Sequence, residues 1–60
     1  MITFEEKLEA IRRELGYRRR VYARRVELNQ MTQKLADRQI ELFEAIEKDY
    51  EAAAKTGRLL

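Results

Sequence analysis

Two segments with apolar residues at helical spacing, separated by a short break near residue 30, constrain the fold of this chain most. The first segment carries Phe4, Leu8, Ile11, Leu15, Tyr22 and Val26. These residues recur every three, four or seven positions and form a helical stripe about 60° wide. The second segment carries Leu35, Ala36, Ile40, Leu42, Phe43, Ile46, Tyr50, Ala53 and Ala54. Its stripe is about 160° wide, so the pattern predicts two amphipathic helices with unequal apolar faces.

Residues with helix-capping chemistry lie at the ends of both segments. Thr3 followed by Glu6 forms a T-x-x-E capping box. Asn29 tolerates the left-handed conformation that closes many helices, and Thr32 offers a second N-cap. Gly57 is a residue type that commonly follows a helix end. The predicted boundaries are therefore helix 1 at about 4–28, a turn at 29–32, helix 2 at about 33–55 and a tail at 56–60.

Matched helix lengths and a short connection predict an all-α fold, an antiparallel two-helix hairpin in a single domain. Sixty residues bury only about 60% of the surface that the unfolded chain exposes, so such a hairpin is marginally stable alone. Small scaffolds gain stability from disulfides, a metal or association. Because the sequence has no cysteine and no histidine, association with another chain remains.

The wide stripe of helix 2 favours a homodimer in which two hairpins form a four-helix bundle. The alternative is a hairpin that completes its core on a different protein. The predicted core and dimer residues are Leu8, Ile11, Leu15, Tyr22, Val26, Leu35, Ile40, Leu42, Phe43, Ile46 and Tyr50.

Charge is divided unevenly between the helices. Between Arg12 and Arg25, seven arginines and one acid give +6 over 14 residues, whereas six acids and two bases give −4 between Asp37 and Glu51. Arginines at the stripe edges are expected to pair with carboxylates of helix 2. In an antiparallel hairpin that turns near residue 30, the expected pairs are Arg12 and Arg13 with Glu47 and Glu51, and Arg19 with Glu41.

A row of basic and aromatic residues lies on helix 1 opposite the core stripe. This outer row consists of Arg13, Tyr17, Arg20 and Arg24. Three interpretations stay open: a solvated face, a protein-binding surface rich in typical interface anchors, or a line of cations that tracks phosphates while tyrosine stacks on a base. Acidic residues at both ends of the row shorten any basic surface and disfavour the last of these.

The residue types needed for most catalytic sites are missing. Without histidine, cysteine or serine, triads, reactive thiols and Glu-x-x-His di-metal sites are excluded. We therefore expect no enzyme, no cofactor and no metal. The chain has no apolar run of about 18 residues that would cross a bilayer, and its acidic N-terminus does not resemble a signal peptide. These observations predict a cytoplasmic protein with no membrane contact.

Short segments of the sequence resemble a set of uncharacterised proteins encoded by phages and prophages. The resemblance rests on Val21-Tyr22, Met31-Thr32, Ala36-Asp37-Arg38-x-Ile40 and Ala45-Ile46-x-x-Asp49-Tyr50, and covers about residues 4–51. Those proteins usually have Gly-Lys before Met-Thr, where this chain has Asn29-Gln30. The resemblance implies an accessory role in a bacterial host cell and carries no assigned activity.

Two functional hypotheses follow from the sequence. In the first, the chain is a phage or prophage accessory protein that acts by protein–protein binding as a homodimer, for example as an inhibitor or adaptor of a host protein. It would use the outer row or the wide face of helix 2. In the second, the outer row binds RNA or DNA. The architecture is similar to that of the plasmid-encoded RNA-binding protein Rop, a dimeric helical hairpin, at the level of the fold alone.

Overall fold

The computed structural model describes the backbone of residues 1–59 and the side chains of residues 1–57, and it confirms the helical hairpin. Helix α1 spans Phe4–Glu27 and helix α2 spans Gln33–Leu59. The helices pack against each other along an elongated molecule with extents of 48 × 17 × 13 Å.

Helix α1 begins at the capping box that the sequence predicts. The Glu6 amide donates to the Thr3 hydroxyl at 3.1 Å, and the Thr3 amide donates to the Glu6 carboxylate at 2.9 Å. Two of the amides at the helix start thereby gain partners.

Asn29 closes α1 in the left-handed conformation, with φ of 58°. The Gln30 amide donates to the Arg25 carbonyl at 2.8 Å, and the Asn29 amide donates to the Val26 carbonyl at 3.1 Å. This pair of bonds is a Schellman motif, which satisfies the last carbonyls of the helix. A few residues later, the Leu35 amide donates to the Thr32 hydroxyl at 3.1 Å and starts α2. The chain therefore reverses direction with hydrogen bonds at both helix ends.

Helix α2 does not end before Gly57, and this prediction was wrong. The helix continues through Gly57 to Leu59, and the Thr56 hydroxyl donates to the Ala52 carbonyl one turn back. Glycine costs a helix only about 1 kcal/mol relative to alanine, whereas Ala54 in the preceding turn is buried against α1. Of the predicted tail, Leu60 lies outside the described residues.

The buried contact between the helices is small and follows one line on each helix. On α1 it consists of Leu8, Leu15 and Tyr22, and on α2 of Ala36 and Ala54. Small residues on α2 let the two backbones approach, while larger side chains on α1 fill the space between them. Around this line Ile11, Val26, Ile40, Phe43 and Tyr50 are half-buried.

Candidate interaction surfaces

One edge of the helix pair is closed by ion pairs. The Arg12 guanidinium contacts Glu47 at 3.0 Å and Glu51 at 3.4 Å, as the sequence predicts. Two turns nearer the loop, Arg19 contacts Glu44 at 3.1 Å. We call this the ion-paired edge, and its charged side chains are in large part exposed to solvent. Because exposed ion pairs contribute little to stability, their main effect is to make this edge polar.

Two predicted ion pairs were wrong. Arg19 pairs with Glu44 rather than Glu41, which contacts Arg38 at 3.6 Å on the outside of α2. Arg13 does not reach α2 and instead contacts Glu9 at 3.7 Å, one turn earlier on α1. Both errors have the same source, because the residue numbers of an antiparallel pair fix the level of a side chain along the helix but not its angle around it.

The opposite edge of the helix pair carries cations over aromatic rings. The Arg18 guanidinium lies 4.3 Å from the centre of the Phe43 ring, and the Lys7 ammonium lies 5.9 Å from that of Tyr50. Such contacts join the two helices by cation–π attraction. Because apolar and aromatic side chains border this side, we call it the open edge.

Arg18 makes two hydrogen bonds at the open edge in addition to its contact with the Phe43 ring. It donates to the Tyr22 hydroxyl at 2.6 Å and to the Glu14 carboxylate at 2.7 Å. The hydrogen bond to Tyr22 is the main cause that raises the pKa of Arg18 above its ordinary value, with a smaller contribution from Glu14. Arg18 is therefore a fixed positive charge beside an apolar surface. The sequence indicates an arginine at the stripe edge, but not its contacts with Glu14, Tyr22 and Phe43.

Beside the open edge, α2 presents a line of large apolar side chains to solvent. Leu35, Leu42 and Ile46 are 49%, 42% and 38% exposed, and we call them the α2 stripe. Ala53 continues the same line, since these four residues are spaced by seven, four and seven positions. The sequence predicts that the three large residues lie in a core or a dimer contact. The single hairpin does not bury them, because α1 covers only the adjacent part of the wide apolar face.

The outer row lies on α1, away from α2. Tyr17 is 55% exposed, and Arg13, Arg20 and Arg24 are exposed as well. Arg13 is partly neutralised by Glu9, whereas among the side chains of residues 1–57 Arg20 and Arg24 have no ion-pair partner. The basic part of the row is therefore its half nearer the turn.

Other kinds of site receive no support from the described residues. Among residues 1–59, no group of acidic side chains is arranged to hold a metal ion. Within the same range, neither helix has an apolar segment long enough to span a membrane.

A comparison of the chain with protein-family models, with curated proteins and with solved structures finds no match.

Proposed function

We propose that this chain is a non-enzymatic binding protein that acts as a homodimer, with two hairpins forming a four-helix bundle. The observation that carries the proposal is the exposed α2 stripe. Leu35, Leu42 and Ile46 lie in one line on a hairpin whose other edge is closed by ion pairs. A continuous apolar line with polar borders is typical of a protein-interaction surface.

The total surface of the hairpin supports a partner of similar size. The chain exposes 5027 Å², whereas a compact monomer of 7.2 kDa is expected to expose about 4,100 Å². The excess of about 900 Å² is close to the roughly 800 Å² that each partner buries in a standard protein interface. One interface of ordinary size would therefore bring the chain to the exposure of a normal globular protein.

The direction of the α2 stripe also suits a bundle. On α2, Ala36 and Ala54 face α1, and the α2 stripe is centred about 100° away around the helix axis. In a four-helix bundle each helix has two neighbours, and the directions from its axis to them differ by about a right angle. Helix α2 thus has one apolar face for α1 and a second for another helix.

Sedimentation equilibrium tests the dimer directly. At tens of micromolar protein we expect a mass of twice 7.2 kDa, because burial of the α2 stripe removes apolar surface from water. A compact monomer under these conditions would contradict the proposed function.

The outer row is the surface that we propose for a further protein partner. It lies on the side of α1 away from the interhelix contact, so a dimer formed through α2 leaves it accessible. Tyrosine and arginine are the residue types that most often anchor interfaces, and the charge of Arg20 and Arg24 suits an acidic partner surface. Together with the resemblance to phage and prophage proteins, this exposed basic and aromatic surface supports an accessory role as an inhibitor or adaptor of a host protein.

Nucleic-acid binding is the second candidate, and the exposed charges of Arg20 and Arg24 favour it. The pairing of Arg13 with Glu9 counts against it, since few phosphates could be neutralised. Gel-shift titrations with RNA and DNA at two salt concentrations separate the two functions. We expect no salt-sensitive binding at micromolar protein. A shift that weakens steeply with salt, and is lost in the double variant Arg20→Ala/Arg24→Ala, would replace protein binding with nucleic-acid binding as the function.

A further inference from the structure

The positions of the α2 stripe, extended by Ala53, are symmetric about the level of Glu44: residues 35 and 53 are equally far from it, and so are residues 42 and 46. We propose that the second copy packs its α2 antiparallel to this one, across a two-fold axis at that level. This inference rests on the proposed dimer and adds the identity and register of the partner helix. A two-fold contact places the same surface on both copies, so the stripe must complement its own reversed sequence, which it does.

The apolar residues pair well in this register. Leu42 lies opposite Ile46 of the second copy on both sides of the axis, which puts four large side chains at the centre. Leu35 lies opposite Ala53, so a large side chain meets a small one near each end. Pairing of large with small residues fills the space between helices that approach closely. The pairs together extend along most of α2.

A polar pair completes the register. Gln39 lies opposite Asp49 of the second copy, where the amide group can donate a hydrogen bond to the carboxylate. Among the side chains of residues 1–57, neither Gln39 nor Asp49 has a hydrogen-bond or ion-pair partner, although both border the α2 stripe. Two polar groups that lack partners in this part of the hairpin thus find complementary ones, and the pairing fixes the direction of the helix.

The contacts within the hairpin determine where the same axis crosses α1. Arg12 contacts Glu47 at 3.0 Å, and Arg18 lies 4.3 Å from the Phe43 ring. These two contacts place Gly16 at the level of Glu44. An axis at Glu44 therefore passes α1 near Gly16, a position that is set by α1–α2 contacts and not by the α2 stripe.

Residues of α1 on the open edge are symmetric about that level as well. Ile11 lies opposite Val21 of the second copy, and both are half-buried in the single hairpin. Phe4 lies opposite Leu28, and these are 45% and 52% exposed. The residue pairs of α1 and those of α2 thus give the same two-fold axis. The four helices then form a ring in which α2 contacts α2 of the second copy and α1 contacts α1 of the second copy.

Charged residues of α1 fit the same arrangement near the axis. Glu14 lies opposite Arg18 of the second copy, so the pair that forms within the chain at 2.7 Å would be joined to its symmetry mate in one network. Farther out, Lys7 lies opposite Arg25, where long side chains at the rim can point apart into solvent. The alternative ring, with α2 against α1 of the second copy, would press the α2 stripe onto Lys7, Glu14 and Arg18.

An added negative charge at the polar pair tests the register. Gln39→Glu places a carboxylate opposite Asp49 twice per dimer, and we expect the dissociation constant of the dimer to rise about tenfold at low salt. The effect should shrink as added salt screens the charges. Adding Asp49→Lys to this variant should return the constant to within about threefold of the wild-type value, as measured in a double-mutant cycle by sedimentation.

A matched control and the alternative arrangements make the result decisive. Ala52→Glu adds the same charge at an exposed position of α2 off the stripe, and it should leave the dissociation constant unchanged. In a parallel dimer the carboxylate introduced by Gln39→Glu would face its own copy, so Asp49→Lys would give no rescue. If Gln39→Glu behaves like Ala52→Glu while the wild type is dimeric, the register is overturned and the proposed function stands. A monomeric wild type would overturn both.

Discussion

Leu42→Glu is expected to convert the protein from a dimer to a folded monomer, with at least roughly a hundredfold rise in the dissociation constant. Leu42 lies at the centre of the α2 stripe, so the substitution would bury two carboxylates among apolar side chains without partners. Burial of an unpaired charge costs several kcal/mol. Because Leu42 is 42% exposed in the hairpin, the substitution leaves the α1–α2 contact in place.

Sedimentation equilibrium and circular dichroism together check this expectation. The variant should sediment with a mass of 7.2 kDa and keep a helical spectrum, whereas Ala52→Glu should sediment as the wild type does. A Leu42→Glu protein that dimerises with the wild-type constant would show that the α2 stripe is not the contact.

Leu15→Ala is expected to unfold much of the protein at room temperature. Leu15 is 1% exposed and lies midway along α1, between Leu8 and Tyr22 on the buried line. Truncation of such a leucine costs about 2 to 5 kcal/mol. A 60-residue chain has little more than this in total stability, so the loss removes most of the free energy of unfolding.

The measurement is best made where association cannot contribute. Urea titrations of Leu15→Ala in the Leu42→Glu background report the hairpin alone, since binding of a second copy also adds stability. Leu35→Ala in the same background is the matched control, because it deletes the same atoms from a side chain that is 49% exposed. A loss below about 1 kcal/mol for Leu15→Ala would be at odds with a core centred on this residue.

The hairpin itself could be predicted because its signals are local. The capping box of Thr3, the left-handed Asn29 and the cap at Thr32 each act within one helical turn. Such signals can be read from neighbouring residues, and the structure places hydrogen bonds at each of them. Gly57 shows the limit of the same reasoning, since a tertiary contact at Ala54 outweighs a weak local preference.

The surfaces were less accessible to prediction because they depend on rotation about the helix axis. The sequence indicates the approximate level of Arg19 along the pair, but Glu41 and Glu44 lie within one turn of each other and differ by about 60° around the α2 axis. Similarly, the width of the apolar face on α2 indicates that it serves more than one neighbour. Which residues α1 covers and which it leaves to solvent follows only from the packed pair.

The charged contacts of Arg12 and Arg19 also bear on where association stops. A second copy that approached the ion-paired edge would have to strip water from these pairs, which costs more than their attraction returns. The two-fold contact that we propose on the other side would use the same stripe in both copies and leave none of it exposed. We therefore expect the proposed assembly to limit itself to two chains, because the dimer would leave no exposed apolar stripe from which a filament could grow.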